Sequence, residues 1–508
     1  MTPKKVSLLL ACFLLLSSTA FAYQGDDSDD DYLTTENSLE YEPEIVEYDE
    51  APAIKGGRLL SDYSNIRIAV DYEHVTVGTD AFITYFKTEL APAVVDYLQA
   101  ALKIKYPLTS KITSSASTLC GFSTPAVLSE GVDADVFIFF NTKYDSTGGW
   151  MAATTLCTVS SGVKRPVIVN IGVNTYSFAV ADVDSTPLKH DLYINVLTHE
   201  FVHALGMNGP LYKYFVDEDG NTLTDHIKSV SLSGTTRTVL DLAPLTYMLQ
   251  EYYNCSTVPG LFMENNGAAH IERRFFQWEI MSTGGVMGSR ISFVSLGFLE
   301  GTGWYVPDYS YAEPYHFGKG AGCDFFADDL DSTGYPNEYC YDSYIGCTEI
   351  GNGGGYCVSD SLLEVGRVVT AQYAFNCENP SGIYYVPFAA KQVFGRGLQS
   401  KCFSGNLTTS KTATVTPDPY CLNATCVGSG DDTYISILWG TTEFKCTEEG
   451  PISLLSYRGY FNCPDPQRFC STVGVNFCPR NCMGRGTCVD AKCVCDDGYQ
   501  GTDCGFTA

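Results

Sequence analysis

The sequence predicts an α+β fold for residues 61–325, followed by a mostly β part that is rich in cysteine. Within 61–325, short β-branched and aromatic runs typical of strands alternate with segments whose apolar residues recur at helical spacing. From Cys323 onward cysteines become dense, Ser, Thr, Gly and Tyr increase, and the helical periodicity fades. With 508 residues, 45% of them hydrophobic, the chain is long enough to form two or three domains.

Residues 1–22 have the pattern of a secretory signal peptide. Lys4 and Lys5 precede an apolar run, and Ala20-Phe21-Ala22 provides the small residues of a cleavage site, so we expect cleavage after Ala22. The run is too short to span a bilayer, and no later apolar stretch approaches about 18 residues. We therefore expect a mature chain without a transmembrane segment.

Residues 23–60 are predicted to form an acidic arm or a short pro-segment. Between Tyr23 and Pro52 there are twelve Asp and Glu residues and no Lys or Arg, and Lys55–Arg58 could be a processing point. The formal net charge of the whole chain is −28. Such a charge argues against nucleic acids and anionic membrane surfaces as partners.

The remaining elements of the α+β part follow in order. Asn65–Val70 alternates like a half-buried strand, and Leu90–Ile104 carries apolar residues at helical spacing. Asp135–Phe140 and Pro166–Ile171 are apolar, β-branched and aromatic, which favours two further strands. A helix then begins before Leu192 and ends at Gly206.

The cysteine count indicates an oxidising compartment. Of 21 cysteines, Cys12 lies in the predicted signal peptide, which leaves 20 to form up to ten disulfides. We therefore expect an extracellular protein or one of the secretory-pathway lumen. The sequons at Asn254, Asn406 and Asn423 are candidate glycosylation sites in the same compartment.

A metal-binding motif lies in the last of these helices. His199 and His203 are four residues apart and share one helix face, so both can bind one Zn²⁺, with Glu200 beside it as a general base. The alternative is a solvated helix with incidental histidines. Because the flanking residues are largely apolar, the helix is expected to be buried, which favours the metal.

The third ligand must come from farther along the chain. Gly206 can turn the chain towards it, but Gly209 stands where a compact version of the motif has its third histidine. His226 and His270 remain, and His270 is favoured because Met281 follows it in a turn rich in Ser and Gly. A carboxylate ligand is a further alternative, for which Glu251 or Glu264 would serve.

In several segments the chain resembles the leishmanolysins, a family of zinc metalloproteases of the metzincin class. In family order these segments are IRIAVDY (66–72), STGGWMAATTLC (146–157), the motif helix, HIERRFFQWEIMS (270–282), LGFLEGTGWYVPDYS (296–310) and GKGAGC (318–323). The resemblance covers 65–325 well and continues more loosely through FNCPDPQRFC (461–470).

The resemblance implies a metzincin-type catalytic domain over 61–325, with a mixed sheet, an active-site helix, and the third ligand and Met-turn in 255–325. It also implies the following roles: His199, His203 and His270 as zinc ligands, Glu200 as catalytic base, Met281 as the Met-turn residue, and Cys120–Cys157 and Cys255–Cys323 as disulfides. Ile271 departs from the family's usual tryptophan. The stretch between Cys12 and Cys120 has no cysteine, so it cannot supply the cysteine by which the family's pro-segment blocks the zinc.

Residues 326–470 are predicted to form a cysteine-rich, mostly β domain, and 471–508 resemble an EGF-like module. The EGF resemblance implies the pairs Cys478–Cys488, Cys482–Cys493 and Cys495–Cys504. So small a fold needs such cross-links, because it cannot bury enough apolar surface. The module could bind a protein or cell-surface partner, or it could be a rigid spacer.

Together these features predict a secreted zinc endopeptidase that acts on proteins and peptides. We expect an extended substrate to pair with an edge strand formed by Gly148, Gly149, Trp150, Met151, Ala152 and Ala153. The alternative from another functional class is a catalytically weak or inactive adhesion protein built on a protease scaffold.

Overall fold

The structure is a computed structural model. It describes residues 43–51, 60–178, 187–264, 269–282, 288–341, 345–359, 366–377, 395, 400–408, 418–428, 430–454, 457–472, 478–489, 492–501 and 503–508. The predicted signal peptide, and the acidic arm apart from 43–51 and Leu60, lie outside these residues.

The first two thirds of the chain contain thirteen described strands and five helices. The strands are β1 (Glu44–Val46), β2 (Ser64–Asn65), β3 (Ile68–His74), β4 (Leu102–Ile104), β5 (Thr118–Leu119), β6 (Phe122–Ser123), β7 (Val136–Lys143), β8 (Ala152–Ser160), β9 (Pro166–Asn174), β10 (Ile227–Leu232), β11 (Thr235–Leu240), β12 (Leu261–Phe262) and β13 (Tyr305–Pro307). The helices are α1 (Asp80–Tyr85), α2 (Ala91–Ala101), α3 (Pro187–Leu205), α4 (Ala243–Tyr253) and α5 (Phe293–Gly301), with a π-helical turn at Phe86–Leu90 between α1 and α2.

A five-stranded mixed sheet is the centre of this part, in the order β1-β8-β9-β7-β3. Strands β3, β7 and β9 are parallel to one another, whereas β8 runs antiparallel to β9. Strands β7 and β9 are apolar along nearly their whole length because both of their faces are covered. The mixture of helices and sheet confirms the predicted α+β class.

Helices α2 and α3 cover one face of the sheet. Phe140 of β7 packs against Phe86 in the π-helical turn before α2 and against Phe201 of α3, at ring-centroid distances of 5.0 and 6.1 Å. On the other face, Phe137 and Phe139 of β7 belong to a smaller apolar cluster. Helix α3 is therefore held against the sheet, and this contact positions the histidine motif.

The predicted helix over Leu90–Ile104 is too long. Helix α2 ends at Ala101, and the next three residues form β4, which pairs with β13 through Ile104 and Tyr305. The apolar spacing continues through Leu102, but pairing with a strand some 200 residues away prevails over this local pattern.

The last third of the chain is mostly β, as predicted. Its elements are β14 (Ile345–Cys347), β15 (Gly353–Val358), β16 (Val368–Asn376), β17 (Ser400–Gly405), β18 (Asp418–Val427), β19 (Tyr434–Trp439), β20 (Thr442–Cys446), β21 (Gly450–Ser453), β22 (Tyr460–Cys463), helix α6 (Pro466–Thr472), β23 (Gly486–Val489), β24 (Lys492–Cys495), β25 (Tyr499–Gln500) and β26 (Phe506–Thr507). Strands β17 to β22 form a six-stranded sheet, and its core centres on Trp439 and Phe461.

Ten disulfides join the twenty cysteines that follow residue 22. Five are the pairs implied by the two resemblances: Cys120–Cys157, Cys255–Cys323, Cys478–Cys488, Cys482–Cys493 and Cys495–Cys504. The other five are Cys340–Cys357, Cys347–Cys402, Cys377–Cys421, Cys426–Cys470 and Cys446–Cys463. Spacing alone could not predict these five, because cysteines in a β domain pair across strands that are distant in sequence.

The C-terminal module packs directly against the first domain. Met483 is fully buried in the main core, and the ring centroid of Phe506 lies 4.0 Å from that of His190 on α3. The Arg480 guanidinium donates to Asp191 and Asn195 of α3, both at about 2.5 Å. Arg485 donates to Asp96 of α2 at 2.8 Å. The module is thus part of the support for α3, the helix that carries the histidine motif.

Among the described helices, none combines the length and apolar character needed to cross a bilayer.

Candidate metal centre

The centre is built on the last two turns of α3. These turns are largely buried, and the one-turn spacing of His199 and His203 brings both imidazoles to the same face, with ring centroids 4.5 Å apart. The helix ends at Leu205. Gly206 follows at φ +154°, a backbone conformation that favours glycine. After this turn the Met207 carbonyl accepts a hydrogen bond from His203 Nδ1 at 2.6 Å.

His270 meets the two helix histidines. Its Nε2 lies 3.2 Å from His199 Nε2, which in turn lies 2.9 Å from His203 Nε2. The three ligand atoms form a compact group in the described part of the chain. Four-coordinate zinc with Zn–N bonds of about 2.0–2.1 Å requires nitrogens about 3.3 Å apart, so the spacing suits that ion.

The hydrogen bonds of the rings support a cation between them. His199 Nδ1 faces the Ile280 carbonyl at 2.7 Å, as His203 Nδ1 faces Met207. Since a carbonyl only accepts, both Nδ1 atoms carry the proton, and both Nε2 atoms present lone pairs. Two lone pairs 2.9 Å apart repel each other unless a cation lies between them. The donor set therefore fits zinc.

Burial keeps all three imidazoles neutral. It lowers the pKa of His199 to about 4 and that of His270 to about 3, because a charged ring loses its hydration. The pKa of His203 is also far below its usual value, through burial and its two histidine neighbours. The neutral ring is the form that binds a metal.

Glu200 is anchored by the neighbouring sheet. Thr154 of β8 places its hydroxyl 2.7 Å from Glu200 Oε2 and 3.0 Å from the Glu200 carbonyl oxygen. Burial raises the pKa of Glu200 to about 7, whereas the Thr154 hydrogen bond lowers it. The carboxyl group is thus fixed in orientation, and its pKa is close to neutral pH, as proton transfer requires.

The predicted Met-turn residue, Met281, is held through its backbone by the buried carboxyl group of Glu279. Met281 is fully buried, and its backbone N–H donates to Glu279 Oε2 at 2.7 Å. Glu279 Oε1 accepts from the backbone and hydroxyl of Ser292 and from the Ser295 hydroxyl. Burial raises the pKa of Glu279 to about 7, against the lowering effect of these donors. The turn also contacts the ligands, because Ile280 accepts from His199.

The alternative ligands are engaged elsewhere. His226 is buried, with Nε2 2.8 Å from the Tyr212 carbonyl oxygen, and it packs beside Phe215. Glu264 accepts from the Arg273 backbone N–H at 2.9 Å, and Glu251 is exposed on α4. None of the three is in the His199–His203–His270 group.

The predicted substrate strand begins later than expected. Of Gly148–Ala153, only Ala152 and Ala153 lie in β8, and Gly148–Met151 form a loop. Asp145 organises this loop by accepting from the Gly148 backbone N–H at 3.0 Å and from Trp150 Nε1 at 3.2 Å. An Asp that binds backbone N–H groups two and three residues later favours a turn over a strand.

The three sequons differ in their environment. Asn254 is exposed, with left-handed backbone at φ +54° just beyond α4. Asn406, just beyond β17, and Asn423, in β18, are half-buried, and Asn406 Oδ1 accepts from the Tyr460 backbone N–H at 2.9 Å. Asn254 is thus the most accessible of the three.

No sequence motif points to Thr154 or Glu279. Thr154 lies one residue beyond the predicted edge strand, within the quoted segment STGGWMAATTLC, and Glu279 lies two residues before Met281. Proximity to these two features was the only sequence signal for either residue.

Comparison with known proteins identifies related chains. The leishmanolysin family matches residues 73–359, and the tenascin EGF domain matches residues 477–505. A leishmanolysin-like peptidase of Caenorhabditis elegans is 28% identical over 242 residues, which cover 40% of this chain and 36% of the relative. Leishmanolysin of Leishmania major is 28% identical over 245 residues, covering 46% and 38%. The ciliated left-right organizer metallopeptidase of Mus musculus is 27% identical over 308 residues, covering 55% and 43%.

The aligned part of this chain spans between about a third and a half of the length of these relatives. The family match covers more than half of the chain, from the end of β3 to just beyond β15, and it includes the three histidines, Glu200 and Met281. The chain belongs to the leishmanolysin family of metallopeptidases, with an EGF-like module near its C-terminus.

Proposed function

We propose that the chain is a zinc-dependent endopeptidase that hydrolyses peptide bonds of protein substrates. The observation that carries the proposal is the convergence of three neutral imidazoles, with Nε2 atoms 2.9 and 3.2 Å apart, next to the anchored Glu200 carboxylate. His199, His203 and His270 would hold the ion. Zn²⁺ bound there supplies Lewis acidity towards water and towards a peptide carbonyl.

Glu200 moves the proton. Its carboxylate accepts a proton from the water that attacks the peptide carbonyl carbon, and it delivers that proton to the leaving amide nitrogen as the C–N bond breaks. Thr154 keeps the carboxylate in place through both transfers. His199 and His203 keep their Nε2 lone pairs towards the ion, because their Nδ1 protons are held by the Ile280 and Met207 carbonyls.

The substrate would pair with the open edge of β8. Ala153, Thr154 and Thr155 are half-buried there, and Thr154 contacts Glu200 directly. A peptide added to this edge gains backbone hydrogen bonds that do not depend on its sequence. Its scissile bond would then lie near the Glu200 carboxylate.

We also propose that the protein is secreted. Ten disulfides and an EGF-like module are typical of extracellular proteins. The N-terminal charged and apolar pattern would direct export, and Asn254, Asn406 and Asn423 would be candidate glycan sites. The outer surface of the EGF-like module would be available to a protein or cell-surface partner.

The test is hydrolysis of an unstructured protein by the purified chain, with and without a zinc chelator and after zinc is restored. The Glu200→Ala variant should retain about one zinc per chain, while kcat falls about a thousandfold or more because no general base remains. Zinc is measured by atomic emission on the same samples. Turnover near the wild-type level in Glu200→Ala would refute the role of Glu200.

A matched pair of histidine variants tests the third ligand. His270→Ala should lose most of its bound zinc, because two imidazoles hold the ion far more weakly than three. His226→Ala removes a buried histidine outside the group and should keep its zinc. Full zinc occupancy in His270→Ala would exclude that residue as a ligand.

A further inference from the structure

The chain's own N-terminal region covers the last three of the nine residues of β8 along its outer edge. Strand β1 pairs with β8 in parallel, with Glu44, Ile45 and Val46 opposite Thr158, Val159 and Ser160. The side chains of Thr158, Val159 and Ser160 are buried, whereas Ala153, Thr154 and Thr155 are half-buried. The edge that β8 offers to a substrate therefore stops where β1 begins.

The segment that carries β1 is firmly attached beyond that strand. Residues 43–51 are called the strap here. Tyr48 is 9% exposed and belongs to the apolar cluster beneath the sheet. The strap backbone also pairs with a neighbouring loop, since Asp49 accepts from the Thr109 N–H at 2.8 Å and Ala51 donates to the Pro107 carbonyl at 2.9 Å.

A buried ion pair adds to this attachment. Glu50 Oε2 accepts from the Val163 backbone N–H at 3.1 Å. Glu50 Oε1 lies 3.7 Å from Nε of Arg165, whose side chain is fully buried. Only 8% of the Glu50 carboxylate side chain is exposed. A buried guanidinium without a nearby carboxylate is unfavourable, so Glu50 favours the docked strap.

The direction of β1 determines which end of the strap lies nearer to the candidate metal centre. Because β1 runs parallel to β8, Glu44 lies at the end of β1 nearer to Thr154 and Glu200, and the strap leads away from the candidate centre. Thr154 and Thr158 are four residues apart, which corresponds to about 13 Å of strand. A peptide that pairs with β8 at Thr154 reaches β1 after about four residues on that side.

We propose that the strap limits the length of substrate that the β8 edge accepts, and that its release lengthens the groove. This inference rests on the proposed function, because it takes β8 as the substrate strand. Short peptides would fit between Ala152 and Leu156 with the strap in place. A longer strand would have to displace β1 from Thr158–Ser160. The basic residues Lys55 and Arg58, which lie between the strap and Leu60, provide a point for proteolytic release.

The test uses the full chain with the recognition sequence of a site-specific protease placed between residues 52 and 59. Hydrolysis of two peptides that share one cleavage sequence, about six and about 16 residues long, is measured before cutting and after removal of the strap. We expect kcat/KM for the long peptide to rise about tenfold, and kcat/KM for the short peptide to change less than about twofold. If the peptides are cleaved, equal changes in kcat/KM for both peptides, or no change for either, would overturn the proposal.

A binding measurement separates this proposal from the proposed function. A labelled peptide of residues 43–51 is titrated by fluorescence anisotropy into the cut protein from which the strap has been removed, with a scrambled peptide as control. Saturable binding of the native peptide, without binding of the scrambled peptide, supports the proposed role of the strap even if neither substrate is cleaved. In that case only the proposed function is refuted. Absence of binding, or equal binding of the scrambled peptide, refutes the strap. Zinc content and circular dichroism of the cut protein show whether the fold has survived.

Discussion

Thr154 connects the sheet to the candidate base. Its hydroxyl lies within hydrogen-bonding distance of two oxygens of Glu200, one on the side chain and one on the backbone. The carboxylate therefore cannot rotate freely, although it lies on a largely apolar part of the helix. An ordered carboxylate transfers protons efficiently only if its distance to the reacting water is fixed.

Replacing this hydroxyl should reduce turnover without loss of the metal. In Thr154→Val the side chain keeps its volume but cannot donate, so we expect kcat for peptide hydrolysis to fall about tenfold, with KM and zinc content nearly unchanged. Thr155→Val changes the adjacent residue of β8, whose side chain points to the opposite face, and should keep normal kcat. An equal loss in both variants would show that the strand, and not the hydrogen bond, is responsible.

Among the secondary-structure elements, the C-terminal end of α3 has the greatest effect on the candidate metal centre. Gly206 has φ +154°, and a Cβ atom there would lie 3.3 Å from Trp304 and 3.4 Å from Thr302. The chain must turn at this point so that the Met207 carbonyl can accept from His203. The same glycine therefore ends the helix and orients a ligand.

Gly206→Ala should weaken both stability and zinc binding. Left-handed backbone costs an alanine about 1–3 kcal/mol, and the close contact with Trp304 adds to the strain. We expect a lower Tm by scanning calorimetry and a higher Kd for zinc in a competition titration. Gly234→Ala is the control, since Gly234 also has positive φ, +77°, but an added Cβ meets no atom within 4 Å. A loss of zinc affinity in Gly234→Ala as large as in Gly206→Ala would contradict the role given to the helix end.

An element can be predicted from the sequence when it depends on residues close to it in the chain, and not when it depends on contacts with distant residues. The motif helix and strands β7 and β9 follow from periodicity and composition, because a buried helix and a central strand have distinctive patterns. The β4 strand and the Gly148–Met151 loop could not be predicted. Strand β4 forms because it pairs with the distant strand β13, and the loop forms because the Asp145 side chain accepts hydrogen bonds from it.

The residues of the candidate site also differ in whether the sequence predicts them. His199, Glu200 and His203 form a local motif, and Met281 points to His270 as the third ligand. Thr154 and Glu279 contribute only through contacts between elements, and a threonine in a strand or a glutamate in a loop has no distinctive sequence pattern. The pairing of β1 with β8 is also invisible in the sequence, because the strap lies in a stretch whose acidic composition suggests disorder.

At the scale of the molecule, the EGF-like module stabilises the first domain. Arg480 is almost fully buried and donates to Asp191 and Asn195 at the N-terminal half of α3, and it lies 3.6 Å from Asp503 of its own module. Asp191 is partly exposed, but Asn195 is buried. The module therefore contributes a charged side chain to the interior of the domain interface.

Arg480→Met should loosen this interface. Removal of one partner from a buried charged network typically costs about 3–5 kcal/mol, and we expect the lower end of this range because Asp191 can be rehydrated. Thermal unfolding should begin at a lower temperature, and limited proteolysis should release the module faster. Lys492→Met changes an exposed cation of the same module and should leave both measurements unchanged. Identical behaviour of the two variants would mean that the Arg480 contacts do not hold the module in place.

The packing of Arg480 and Phe506 against α3 also orders the events of biosynthesis. Arg480 lies 289 positions after the aspartate to which it donates. At about 5–20 residues per second, a ribosome needs roughly 15–60 s to synthesise the intervening chain. During that interval the N-terminal half of α3 has neither its guanidinium partner nor its final apolar cover. A newly made chain therefore acquires a fully supported α3 only after the module has been synthesised and oxidised, which places completion of the candidate metal centre late in biosynthesis.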